Sequence, residues 1–248
     1  MFKNPFRSLS TALVLCLFWM TAFPCLAGDA KAPDDKATKA PDKAPLLAPK
    51  EATKRAPDQF RVLVETTKGN FQVDIHREWA PLGVDRFYNL VILGYFTDVA
   101  IYRMIPGFMA QFGFHGEPDV NKKWLKASLE DDPPKHSNTA GRLTFANRGP
   151  NTRTTQFFIN MVNNDYLDRM GFVPFGEVVD DGLQVVTKFY GGYGDGAPYG
   201  RGPNQGRILS EGNSYLRKKF PELDYIKRIS IVKGSEKKGG PGQAPAPK

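Results

Sequence analysis

An arginine sits in the middle of an apolar strand pair, and that placement limits the folds open to this chain. Ile101 to Gly113 reads IYRMIPGFMAQFG. Pro106-Gly107 is a turn dipeptide, in which proline pre-sets φ and glycine supplies a positive one. Alternation sorts the arms. Met109 and Gln111 take one face of the second arm, and Ala110 and Phe112 the other. On the first arm Arg103 falls between Ile101 and Ile105, along the same face. A guanidinium keeps its charge and resists burial, so Arg103 must meet water, a carboxylate or a ligand.

Two further stretches have the same character. Leu143 to Asn160 reads LTFANRGPNTRTTQFFIN: a strand ends at Ala146-Asn147, a loop of Gly, Pro, Asn and Thr follows, and a second strand runs through Gln156 to Ile159. Phe157 and Phe158 must point to opposite faces, one into a core and one outward. From Asp165 the chain reads DYLDRMGFVPFGEVV, placing Tyr166, Leu167 and Phe172 before another strand.

At these residues the chain resembles the cyclophilins, a family of peptidyl-prolyl cis-trans isomerases. The family's arginine strand with Pro-Gly-Phe-Met-x-Gln matches Arg103, Pro106, Gly107, Phe108, Met109 and Gln111. Its Ala-Asn, Gly-Pro-Asn-Thr and Gln-Phe-Phe-Ile run matches Ala146-Asn147, Gly149 to Thr152 and Gln156 to Ile159. Its Leu-Asp followed by Phe-Gly matches Leu167-Asp168 and Phe175-Gly176. The likeness runs from about Phe60 to Tyr190 and resumes at the last strand. It implies a mainly β fold: a closed eight-stranded antiparallel barrel capped by two helices, here with a loop-helix insertion over residues 191–228 before the final strand. Closure also removes exposed sheet edges.

The implied reaction is rotation about an X-Pro peptide bond. Amide resonance sets its barrier at ~18–20 kcal/mol, and no bond need break. An apolar slot for the prolyl ring and a donor that favours the twisted amide are enough; neither a cofactor nor a metal is expected. As the amide twists, its nitrogen gains a lone pair, and a guanidinium placed there stabilises the transition state selectively. Arg103 is the candidate donor. By resemblance, Phe108, Met109, Phe158 and Leu167 line the proline slot, and Gln111 positions Arg103 or contacts the substrate carbonyl. The backbone of Asn147 grips the peptide, with Ala146, Tyr166 and Phe172 completing the binding residues. Tyr166 stands where many members have tryptophan, and Phe172 where histidine is frequent, so reduced affinity for cyclosporin-like ligands is expected. The expected partners are proline-containing unfolded or extended polypeptides, taken up by a monomer. The alternative is a catalytically weak chaperone or scaffold module that binds proline peptides.

Residues 1–27 have the three parts of a secretory signal peptide: Lys3 and Arg7 at the start, an apolar run from Thr11 to Phe23, and Cys25-Leu26-Ala27 before cleavage. The run is shorter than the ~20 residues a membrane span needs, so no stable membrane insertion is expected after cleavage near Ala27. A membrane anchor and a lipidated Cys25 are the competing readings. Export from a bacterium-like cell, to the periplasm or the medium, follows. Both cysteines, Cys16 and Cys25, lie in this segment, so the cleaved form has neither disulfide nor thiol chemistry.

Residues 28–58, rich in Ala, Pro, Lys and Asp, lack apolar periodicity and are expected to form a disordered linker. The folded domain then spans 59–233 and a second disordered tail 234–248. A hairpin opens the domain, with Phe71, Val73 and Ile75 on its buried face. Helices are expected from Pro81 to Gly94, from Gly182 to Tyr190, and from Ser210, as cap, to Lys219. His115 to Ser137 is a long connection whose Asp131-Asp132 pair reads as a solvated turn. Gly191 to Gly206 lacks the context of a phosphate loop and reads as surface coil. The formal net charge of +8 raises nucleic acid or anionic lipid as partners, but no stripe of clustered Lys and Arg beside aromatics supports it, so no nucleic acid is expected. His76, His115 and His136 are dispersed and lack ligand spacing.

Overall fold

Strand β1 (Gln59–Thr66) and strand β2 (Gly69–His76) form the expected hairpin, and every second side chain along them is buried. This computed structural model describes residues 43–237; the signal-peptide reading and most of the linker lie outside them. After the hairpin come helix α1 (Pro81–Ile92), β3 (Val99–Ile105), β4 (Met109–Phe112), helix α2 (Pro118–Trp124), β5 (Arg142–Phe145) and β6 (Phe157–Asn160). A 3-10 turn at Asp165–Met170, β7 (Pro174–Val178), helix α3 (Gly182–Val186), helix α4 (Gln205–Lys219) and β8 (Tyr225–Ile231) complete the order. The strands close into one antiparallel barrel in the order β1-β2-β7-β5-β6-β4-β3-β8. The eight-stranded antiparallel barrel is thus as expected.

The barrel interior holds Val62, Val64, Val73, Ile75, Phe145, Phe157 and Phe175, all essentially sealed from solvent. Helix α1 follows from its apolar stripe, with Pro81 in the first turn where its missing N–H costs nothing. It drives Phe87 into the interior, within 5.2–5.5 Å of the rings of Phe96, Phe157 and Phe175.

Helix α4 belongs to the insertion and covers the outside of the barrel. Ile208, Tyr215 and Leu216 form a second core with Ala100 and Tyr102 of β3, Phe114, Leu223 and Tyr225. It differs from the helix expected from Ser210 onward. It begins five residues earlier, where the Asn204 side chain accepts from the Arg207 N–H as cap, and it kinks at Gly212 (φ 59°, ψ −145°). Helix α3 is only five residues long, ending well before Tyr190.

The folded domain extends past both boundaries expected from composition. Residues 43–58 are packed onto the domain. The Leu46 side chain is buried in the main core and its carbonyl accepts from the Trp124 indole N–H at 2.8 Å. The main chain of Lys54 exchanges two hydrogen bonds with the Asn89 amide, and the Ala56 N–H donates to Asp85. Composition pointed to disorder, but a few anchors suffice to hold a segment with no periodicity. At the other end the Lys237 main chain pairs with Gln59.

The connection from His115 to Ser137 contains α2, and Asp132 is buried rather than solvated. Its carboxylate accepts from the Leu82 and Gly83 N–H groups at the start of α1 and pairs with the buried Arg153 at 3.0 Å. The histidines are less dispersed than the sequence suggests: His76 and His136 both pack on Trp79, with ring centroids 4.2 and 4.1 Å away.

Candidate active site

The cleft lies where β3, β4 and β6 run side by side. Cross-strand register sets Arg103 opposite Gln111, and Gln111 opposite Phe158. One detail departs from simple alternation. The ladder between β3 and β4 shifts between Ile101 and Arg103, an irregularity that moves successive residues to different faces. Ile101 therefore joins the barrel interior, whereas Arg103 faces outward with Gln111. Phe157 and Phe158 do take opposite faces, the first in the main core and the second in the cleft.

The cleft has a volume of about 550 Å³. Its apolar end is built from the buried trio Met109, Phe158 and Leu167, packed with Ile105, Phe108, Ala146 and Phe172. Phe172 meets Phe158 edge-on at 5.7 Å, so the position where histidine was the familiar residue adds to the greasy wall. Nine of the ten expected site residues line this one cleft: Arg103, Gln111, Phe108, Met109, Ala146, Asn147, Phe158, Leu167 and Phe172. Tyr166 does not; it is half-exposed and stacks behind Phe108 at 6.4 Å. The Asn147 side chain bridges to the Gly171 carbonyl at 3.3 Å, while its main-chain N–H and C=O have no partner among the described residues. That leaves a short open edge able to pair with an extended peptide.

A buried polar network holds the floor. Asn138 donates to Asp168, Thr144 donates to Asn138, and the Asn160 amide reaches Asn138 and the Arg142 carbonyl. Asn164 donates to Asn160 and to the Phe108 carbonyl. Burial would raise the Asp168 carboxyl, but hydrogen bonds from Ser137 and Asn138 outweigh it and hold it below its ordinary value. The network fixes the 3-10 turn that carries Leu167 into the cleft.

Arg103 is only partly exposed. Its Nη1 donates to Gln111 Oε1 at 3.1 Å and its guanidinium carbon sits 5.9 Å from the Phe108 ring centre. Its remaining partner was not anticipated. Nε and Nη2 donate to the two carboxylate oxygens of Asp195 at 2.8 and 2.7 Å. The arginine thus meets a carboxylate, one of the three outcomes its strand position required, but that acceptor lies 92 residues away in the glycine-rich loop. Leu125, Ser128 and Gln205 also line the cleft. They come from the long connection and the insertion, and carried no signal in sequence.

Comparison with known proteins agrees with this geometry. The family described as cyclophilin type peptidyl-prolyl cis-trans isomerase/CLD matches residues 61–205, more than half of the chain. A peptidyl-prolyl cis-trans isomerase-like 3 protein of Neurospora crassa is 34% identical over 139 residues, which cover 52% of this chain and 83% of that one. A peptidyl-prolyl cis-trans isomerase-like 2 protein of Emericella nidulans is 36% identical over 123 residues, 48% of this chain but only 21% of that protein. Among solved structures, a cyclophilin-type isomerase of Cryptosporidium parvum superimposes with a TM-score of 0.51 at 21% identity, covering 71% of this chain and 99% of that one. The site motifs and strands β2 to β7 all fall within the matched residues, and the chain belongs to the cyclophilin-type peptidyl-prolyl cis-trans isomerase family.

Proposed function

We propose that this protein catalyses cis-trans isomerisation of X-Pro bonds in extended polypeptides, and that its substrates are exported proteins. The observation that carries the reading is Arg103 beside the Met109, Phe158 and Leu167 slot, in one cleft. The prolyl ring enters the slot, where burial of its apolar surface holds it. Asn147 pairs with the peptide main chain on the N-terminal side of the proline. The Arg103 guanidinium then donates to the amide nitrogen as it becomes pyramidal, an interaction the planar ground state cannot make. No group changes covalency, and the cis or trans product leaves as the amide flattens. A second structure of the same Cryptosporidium parvum isomerase, with a TM-score of 0.50 here, was obtained in the presence of the dipeptide Ala-Pro, which agrees in kind with a proline ligand.

The test is a protease-coupled isomerisation assay on prolyl peptides. Arg103→Ala is expected to lower kcat/KM by about 100-fold, the scale for losing one transition-state donor. Activity untouched by that substitution sinks the mechanism. Peptide binding with no turnover in the wild type would support the alternative, a binding module. Export rests on residues 1–27 alone; the mature protein is expected outside the cytoplasm and to begin at Gly28. An intact Met1 on the soluble cytoplasmic protein would refute it.

A further inference from the structure

Asp195 stands on the loop between α3 and α4, within residues 191–206. Its carboxylate takes the Nε–H and one Nη2–H of Arg103 side-on. A guanidinium has five N–H donors. Asp195 holds two and Gln111 a third, and Met109 Sδ, at 3.9 Å, is a weak partner for Nη1. Among the described residues this leaves one Nη2 hydrogen without a protein acceptor. Two fixed bonds on one edge of a planar group determine where the opposite edge points.

The loop is itself braced, so the carboxylate is a fixed reference. Asp195 Oδ1 also accepts from the Gly196 N–H at 2.7 Å, and the Asp195 carbonyl accepts from Gly202 at 2.7 Å. A side chain on Gly200 would come within 2.3 Å of that carbonyl, and one on Gly202 within 2.8 Å; the two glycines let the loop fold over Asp195. Gly194 bridges to Met104 on β3, next to Arg103. Tyr193 lies edge-on to Tyr190 and Phe220 at 4.9 and 5.1 Å, and the Tyr190 N–H donates to the buried Asp224. Arg103 in turn holds the Asp195 carboxyl below its ordinary value, with the Gly196 N–H assisting, so the group stays charged at neutral pH.

We propose that Asp195 is a positioning residue of the isomerase: it orients the Arg103 guanidinium so that its remaining Nη2–H meets the twisting amide. This rests on the isomerase reading above. A nearby carboxylate also damps the cation's field, which works against catalysis. Donation to a nascent lone pair is directional, however, and a long flexible arginine left unheld samples many rotamers. Orientation outweighs damping in this site, because the hydrogen bond forms only at the right angle.

The test uses the intact protein. Asp195→Asn is expected to lower kcat about tenfold with peptide affinity unchanged, whereas a purely structural role would leave that split unmoved. In the Arg103→Ala background the same substitution is expected to cause no further loss. By 15N-edited NMR, the Arg103 Nε–H resonance should be shielded from exchange in the wild type and lose that protection in Asp195→Asn. Asp195→Glu, which keeps the charge but moves it outward, should also lose activity. It separates placement from charge if the Asn variant fails to fold. Wild-type or higher kcat in Asp195→Asn, full activity in Asp195→Glu, or an equal loss in the Arg103→Ala background would each overturn the assignment. An inactive wild type with a protected Nε–H would instead count against the isomerase reading and leave the clamp standing.

Discussion

The Asp132 carboxylate faces two claims: the positive start of α1 and the buried Arg153 guanidinium. Arg153 is 1% exposed, and it also donates to the Glu130 carbonyl and lies 3.3 Å from Asp131. Removing one partner of a buried pair strands the other charge, at a cost of about 3–5 kcal/mol. Asp132→Ala is therefore expected to shift the urea midpoint strongly downward, while Asp131→Ala, on the more exposed neighbour, has a small effect. His115 makes a second prediction at this scale. Burial lowers its pKa below the ordinary 6.5, against Glu117 and Asp98, which raise it, and together with Lys43, which lowers it. Its Nδ1 accepts from the Glu117 N–H at 3.0 Å, so the neutral ring is the one the fold uses. The unfolded chain then binds the proton more readily. Stability from this residue is complete above pH 6.5 and is lost as pH falls through the folded pKa. The melting temperature should drop between pH 7 and pH 5, and His115→Asn should flatten part of that slope; His136, also lowered chiefly by burial, contributes in the same direction.

Elements were legible where a period governed them. Period-two burial along β1 and β2 and the apolar stripe of α1 are properties of the local sequence. The Ile101/Arg103 shift was not, because the partner strand decides which residue is left out of the ladder. Helix α2 has seven residues, too few for a stripe to stand out. The same division runs through the site. Phe158 and Met109 sit on strands whose faces can be counted, whereas Asp195, Leu125 and Gln205 arrive from connections whose paths only the folded barrel sets. Gly212 shows how a connection constrains an element. At φ 59° and ψ −145° it has a backbone few other residues tolerate, and an added side chain would approach the Gly116 carbonyl to 2.0 Å. That contact docks α4 on the α2 region, where the Asn213 N–H donates to Gly116. Gly212→Ala is expected to cost about 1–3 kcal/mol in denaturant unfolding.

At the scale of the molecule, the segment before β1 works as a strap. It crosses α1 through Lys54 and Ala56 and reaches α2 through Leu46 and Trp124. Leu125, next to Trp124, lines the cleft, so the strap supports one wall of the site from behind. A chain beginning at Gln59 would leave the Trp124 indole N–H without its acceptor and uncover the Leu46 contact. Losing a buried bond of this kind costs about 1–3 kcal/mol, and the melting temperature should fall by several degrees. A chain beginning at Lys43 should melt like the whole protein. An identical melting curve for both truncations would show that the strap adds nothing.

The register of β1 against β8 has a further consequence. In the barrel the first strand, β1, has the last one, β8, beside it. A nascent copy therefore has an unsealed seam until Tyr225–Ile231 has emerged. Barrel closure is therefore expected only after the carboxy-terminal strand has been made, which a comparison of chains ending before and after Tyr225–Ile231 would check.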